Sequence, residues 1–343
     1  MPNRVVLIFE NGGEVTMNRG MKRAAGILVL VVTPLATLLA PVGVKADVGR
    51  YVITSFDFPG TAVTQAYGIN ARGDIVGTYR KAAPNNKNRG FLLKGGEFTS
   101  VDFPGINTDW SIATAIGPAG DIAGYYGLVG EAPTSAYGFL LDKYGEWTTV
   151  PNLVDPVPTM TPAAFRILPN GTMVGCFHYA TPSGEYTSMH GFTLTRDGTF
   201  SRFDYPAPES GSFAMHYGAT PDGKWIVGTY TAAGVSHGYL LVKGDVITFD
   251  VPGSLRTVPQ DINAGGVIVG NYRNPGEPSS ASHGFILDTH RSIDQTEWEY
   301  SRFDVAGASV TRIRGINAGG DIVGDYIGTD GQNHAFVASP SYE

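Results

Sequence analysis

From residue 51 onward, apolar and polar positions alternate in short runs, and turns rich in Gly separate the runs. The first set predicts strand A over Thr64–Ile69, a turn at Asn70-Ala71-Arg72-Gly73 and strand B over Asp74–Tyr79. A loop over 80–88 leads to strand C at Arg89–Lys94, then a Gly95-Gly96 turn and strand D at Glu97–Asp102. No stretch of these runs keeps helical spacing over three turns. Asn-x-x-Gly suits a type I turn closed by a left-handed Gly, and it recurs at 263–266 and 317–320. Lys243-Gly244 and Arg196-Asp197-Gly198 serve the C–D hairpin in the same way.

The set is written six times. Its strand B anchor reads Gly77-Thr78-Tyr79, Gly124-Tyr125-Tyr126, Gly175-Cys176-Phe177, Gly228-Thr229-Tyr230, Gly270-Asn271-Tyr272 and Gly324-Asp325-Tyr326. The leading glycines stand 47, 51, 53, 42 and 54 residues apart. A strand C anchor follows at Arg89-Gly90-Phe91, Tyr137-Gly138-Phe139, His190-Gly191-Phe192, His237-Gly238-Tyr239, His283-Gly284-Phe285 and His334-Ala335-Phe336. Strand D ends at Asp57, Asp102, Asp204, Asp250 and Asp304, four of them in Asp-Phe-Pro-Gly-like steps. A repeat of about 50 residues with four antiparallel strands is the pattern of a propeller blade. The sixth copy lacks a strand D, and Tyr51–Asp57 reads as that missing strand at the other end of the chain. The expected fold is therefore all-β, a six-bladed β-propeller of four-stranded blades over residues 47–343, closed by the N-terminal strand.

The 46 Gly and 22 Pro in 343 residues agree with a turn-rich chain. Lys22-Arg23, an apolar run from Ala24 to Ala40 and Val44-Lys45-Ala46 form a signal peptide pattern, with cleavage expected after Ala46. A membrane anchor is the competing reading, but about 17 apolar residues broken by Pro34 are short for one. Met17 and Met21 are more natural starts than Met1. Residues 1–46 hold five basic and two acidic residues, so the remainder carries a net charge of −10. That charge, with no basic run, argues against nucleic acid and anionic membrane as partners. A secreted or periplasmic monomer is expected. Cys176 has no second cysteine to pair with and reads as a free thiol rather than a nucleophile, since no His recurs beside it.

The recurring Ile-Asn-x-x-Gly-x-Ile-Val-Gly followed by His-Gly-Phe or His-Ala-Phe resembles the HAF family of bacterial extracellular repeats. His334-Ala335-Phe336 stands as that family's tripeptide. The resemblance covers about residues 51–343 and implies export and a propeller-like fold. It implies no catalytic residue. The second and third copies depart most, with Tyr137 for the His, Pro151 for the Asp and Leu168-Pro169-Asn170-Gly171 for the Asn turn.

Two residue columns carry candidate chemistry. Counting across the C–D hairpin places Arg89 opposite Asp102, His190 opposite Asp204 and His237 opposite Asp250, with His334 facing Asp57 through the ring closure. His283 and Asp304 frame a longer hairpin. These read as cross-strand braces rather than metal ligands, because a guanidinium is a poor ligand and the second copy loses both members together. No metal and no cofactor are expected. The second column belongs to strand A: Tyr67, Thr114, Phe165, Tyr217, Gln260 and Arg314, with Gln65, Arg166, His216, Asp261 and Arg312 beside them. These differ between copies and converge on the axis. The expected ligand face is formed by the B–C and D–A loops and the channel mouth, with Tyr67, Arg166, His216, Tyr217, Gln260, Asp261, Arg312 and Arg314 as binding residues. The ligand class stays open among a small molecule, a glycan and a protein. Mere charge pairing of Arg166, Asp261, Arg312 and Arg314 across a narrow channel is the plainer reading. An enzyme acting as a hydrolase or lyase on carbohydrate-like or lactone substrates is the alternative function, and it rests on fold analogy alone.

Overall fold

The computed structural model describes residues 50–84, 86–132, 134–181, 183, 185–206 and 213–341, and the backbone of 45–47. The expected signal peptide thus lies outside the described residues, save for 45–46. Strands are numbered along the chain. β1 (Lys45–Asp47) and β2 (Tyr51–Phe56) precede the first copy, which holds β3 (Val63–Ile69), β4 (Ile75–Arg80), β5 (Asn88–Lys94) and β6 (Glu97–Val101). The second copy holds β7 (Thr108–Ile116), β8 (Ile122–Leu128), β9 (Tyr137–Leu141) and β10 (Trp147–Thr149). The third holds β11 (Met160–Ile167), β12 (Met173–Ala180), β13 (Tyr186–Leu194) and β14 (Phe200–Phe203). The fourth holds β15 (Ala214–Ala219), β16 (Trp225–Ala232), β17 (Val235–Val242) and β18 (Asp245–Phe249). The fifth holds β19 (Arg256–Ile262), β20 (Val267–Arg273), β21 (His283–Asp288) and β22 (Glu299–Phe303). The last holds β23 (Val310–Ile316), β24 (Ile322–Ile327) and β25 (Asn333–Pro340).

The protein is an all-β propeller, but the expectation of six separate blades is corrected. Four sheets stand as discrete four-stranded blades, one for each of the second to fifth copies. The first and last copies, with β1 and β2, are instead joined in a single nine-stranded sheet. The join is a parallel pairing of Asn333 on β25 with Val63 on β3, where the Asn333 amide donates to the Ala62 carbonyl at 3.4 Å. β25 thereby touches three strands, because β24 and β2 already flank it antiparallel. Among the described residues no helix is long and apolar enough to cross a membrane.

Side-chain volume explains the anchors. The leading Gly of strand B lies opposite the Phe of strand C, as in Gly77 with Phe91 and Gly270 with Phe285. A Cβ on Gly77 would stand 2.7 Å from the Phe91 ring and 2.0 Å from the Gln65 carbonyl oxygen. Glycine is thus imposed by the ring that covers it, and Phe91, Phe139, Phe192, Tyr239, Phe285 and Phe336 are all fully buried. The third anchor works between copies. The aromatic residue after Asp57, Asp102 and Asp204 stacks on the strand B aromatic of the next copy: Phe58 on Tyr79 at 3.7 Å, Phe103 on Tyr126 at 3.9 Å, Tyr205 on Tyr230 at 3.8 Å. The backbone amides of Phe58, Phe103, Val251 and Val305 donate to Thr64, Ser111, Thr257 and Thr311 at the start of the next inner strand. In the A–B turns, Asn70 Oδ1 accepts from the amides of Arg72 and Asp74, and Gly73 closes the turn at φ 81°.

Candidate functional site

The strand C and D columns meet at the blade ends. His237 Nδ1 lies 2.7 Å from Asp250, His283 Nδ1 3.0 Å from Asp304 and His334 Nδ1 2.8 Å from Asp57, and His190 contacts Asp204. Each imidazole also packs on the strand B aromatic of its own copy, as His334 does on Tyr326 with ring centres 5.3 Å apart. The first copy departs from the expected pattern. Arg89 and Asp102 lie opposite one another but form no ion pair among the described residues. Burial raises the Asp102 pKa and Arg89 only partly offsets it, while Asp102 Oδ1 lacks a hydrogen-bond partner.

Two of these braces are three-membered. His334 Nε2 also lies 3.2 Å from Asp330, and His283 Nε2 3.1 Å from Glu277. Burial works against charge on both rings, yet the paired carboxylates raise both pKa values above the ordinary 6.5. The stabilisation is therefore complete below about pH 6.5 and is lost as pH rises through the higher folded values. We expect the melting temperature to fall by about 1–2 °C between pH 6 and pH 8.5, given the half-exposed setting. The double variant His283→Gln with His334→Gln should lose that slope in a pH series of thermal melts; an unchanged slope would refute the assignment.

The inner strands β3, β7, β11, β15, β19 and β23 touch in cyclic order and bring the strand A column together around an axis. All six share a β-bulge at the equivalent position, where the extra residue is Tyr67, Thr114, Phe165, Tyr217, Gln260 or Arg314; β7 and β11 have a second register shift nearer their start. A bulge re-aims its side chain. Arg314 stacks on Tyr67, the guanidinium carbon 4.5 Å from the ring centre, and Phe165 packs on Tyr217 at 5.3 Å. Thr114 is turned away in function, its hydroxyl donating to the Ala164 carbonyl at 2.6 Å.

The charged residues pair in two places. One step past the bulge, the sites of Gly68, Ala115, Gly218 and Gly315 are occupied in the third and fifth copies by Arg166 and Asp261, which meet at 3.1 Å. Asp261 also accepts from the Ile316 amide, and a Cβ on Gly218 would come within 2.5 Å of its Cα. Two steps before the bulge comes Arg312, and with Arg314 it converges on Asp325 of β24. Asp325 is fully buried, and its Oδ2 accepts from Arg312 Nη1 at 3.0 Å, Asn333 Nδ2 at 2.9 Å and Gln65 Nε2 at 3.3 Å. Its Oδ1 accepts from Arg314 Nε at 3.0 Å. Burial alone would raise this carboxyl, but the two guanidinium groups hold it below the usual carboxylate range.

His216 does not join them. It is 2 % exposed, stacked on Phe203 and donating through Nδ1 to the Tyr239 hydroxyl at 2.6 Å. Burial lowers its pKa to about 3, so it stays neutral and out of reach of a ligand. The neighbour Tyr217 projects from the bulge, and successive residues of a strand face opposite ways.

Two features escaped sequence reasoning. Cys176 does have a histidine beside it: His178 Nε2 lies 2.9 Å from its sulfur, both side chains on one face of β12 at i and i+2. Burial pushes the thiol up and the imidazole down to about 4, which leaves both neutral and the sulfur unactivated. The spacing Cys-x-His within a strand was the available signal. The second is a cavity of about 60 Å³ lined by the A–B turns, including Ile69, Ile116 and Leu168, and by Arg166. It opens at the end opposite the expected ligand face.

No protein-family model matches the chain, and comparison with curated proteins returns no match. The likeness to the HAF family therefore rests on the repeated residues alone. Solved structures are similar in fold. A protein assigned as TolB from Agrobacterium tumefaciens is 14 % identical with a TM-score of 0.53, covering 88 % of this chain and 100 % of its own. TolB from Acinetobacter baumannii is 16 % identical with a TM-score of 0.48, over 83 % of this chain; the chain spans 65 % of that protein's length. A gluconolactonase from Xanthomonas campestris is 12 % identical with a TM-score of 0.45, over 85 % of this chain and 90 % of its own.

Proposed function

We propose that this chain is an exported β-propeller protein of the HAF type that binds a ligand at the axial mouth between the B–C and D–A loops and performs no chemistry of its own. The observation that carries the reading is the ring of bulged residues. The contacts that build the blades repeat from copy to copy, whereas Tyr67, Phe165, Tyr217, Gln260 and Arg314 bring four kinds of aromatic or polar group to one axis. Variation on a rigid, repeated frame is how a binding surface is built. The enzyme alternative has lost its acid–base groups: His216 is walled off, and Asp261 is committed to Arg166 and to a backbone amide. Cleavage after Ala46 would leave β2 near the mature N-terminus.

Screening the purified chain by thermal shift against glycans, small organic acids and peptides should return a ligand. Tyr217→Ala and Gln260→Ala should each weaken it about tenfold with little change in melting temperature. Turnover of any hydrolase or lyase substrate in the same screen would refute a binding-only role.

A further inference from the structure

Resting on that binding reading, we infer that the ligand is a small monocarboxylate, bound through its carboxylate by Arg312 and Arg314. The argument concerns hydrogen-bond capacity. Asp325 is saturated: four donors from four residues reach its two oxygens. The guanidinium groups are not, because each presents five N–H donors in a plane and each reaches Asp325 through one nitrogen. Among the described residues no second carboxylate lies within ion-pair distance of either arginine. Two cations against one carboxylate leave a local charge of +1 inside a protein of strongly negative total charge.

The arginines are also accessible. Their side chains are 28 % and 20 % exposed, while the carboxylate between them is at 0 %. Tyr67 covers one face of the Arg314 plane, which leaves its edge to be used, and a guanidinium edge matches the two oxygens of a carboxylate. A single excess positive charge is matched by a monoanion, whereas a polyanion meets the net repulsion of the whole chain. In the same ring of bulges, Phe165 and Tyr217 offer aromatic surface to the body of the ligand.

Titration calorimetry with benzoate, glucuronate, their uncharged amides and inorganic phosphate tests this. Either acid should bind at least about tenfold tighter than its amide, since an amide leaves a desolvated cation unmatched. Affinity should fall with added salt. Arg314→Gln should abolish the preference for acid over amide, and Arg312→Lys, which keeps the charge on Asp325 neutralised, should weaken the acid about tenfold without unfolding. Equal binding of acid and amide, or phosphate bound more tightly than both acids, overturns the carboxylate assignment and leaves the binding reading intact. No binding of either acid up to about 10 mM also overturns it, and the broad ligand screen then judges the binding reading separately.

Discussion

Asp325→Asn is expected to be about 3 kcal/mol less stable than the native chain in urea unfolding. The replacement keeps the side chain's shape and removes its charge. Asp325 is the one fully buried member of its cluster, with two guanidinium groups, one carboxamide from β3 and one from β25 around it. Without the carboxylate, Arg312 and Arg314 face each other uncompensated, and a desolvated charge that has lost its partner costs far more than a surface one. The control is Asp250→Asn, whose partner His237 sits at a solvated blade end with both side chains partly exposed. That change should cost less than about 1 kcal/mol. The Asp325 loss also has a pH signature. Because the folded Asp325 pKa is depressed, its contribution is complete above the ordinary carboxylate value and is lost as pH falls through the folded one. The gap between native and Asp325→Asn should therefore hold from pH 5 to pH 8 and narrow only in strong acid. Equal losses at Asp325 and Asp250 would refute the buried-cluster account.

What the sequence disclosed and what it hid follow from the kind of contact involved. Hairpin register can be counted, so the pairing of His190, His237 and His334 with their aspartates was legible in the spacing of strands C and D, whereas the longer hairpin between His283 and Asp304 left that pair to the structure. The alternation that marks strands, and the Gly opposite each buried Phe, were legible for the same reason. The merging of the first and last copies was not, because it depends on a backbone contact between Asn333 and Val63 that no side-chain pattern encodes. The site was half legible. The variable strand A column named the bulged residues, since a bulge shows in sequence as a place where repeats stop agreeing. Asp325 was passed over because its column reads Thr78, Tyr125, Cys176, Thr229 and Asn271 elsewhere, and only one copy puts a charge there. His216 was misplaced by one residue of strand alternation: it faces the neighbouring copy, where Gly191 leaves it room.

The pairing of β2 with β25 predicts a sharp contrast between two adjacent residues. Ile53 is fully buried and packs in a cluster with Phe303, Val305, Ile313, Ile322 and Phe336, whereas Val52 beside it is exposed. Ile53→Ala should cost about 2–5 kcal/mol, the range for an emptied core site, and Val52→Ala less than about 0.5 kcal/mol. β2 holds six residues of β25 in register, from Tyr51 with Pro340 to Phe56 with Ala335, and adds the Ser55–Tyr326 hydroxyl contact at 2.9 Å. Deleting residues 47–57 removes all of this together with the Asp57 partner of His334. The exposed edge of β25 then offers unpaired backbone groups to a second molecule, so the truncated chain should melt more than about 5 °C lower and associate at rising concentration. Sedimentation and thermal melts of the three variants decide the matter. If Ile53→Ala behaves like Val52→Ala, the strand is an ornament on the last copy rather than part of its core, and the seam must be held by the Asn333–Val63 contact instead.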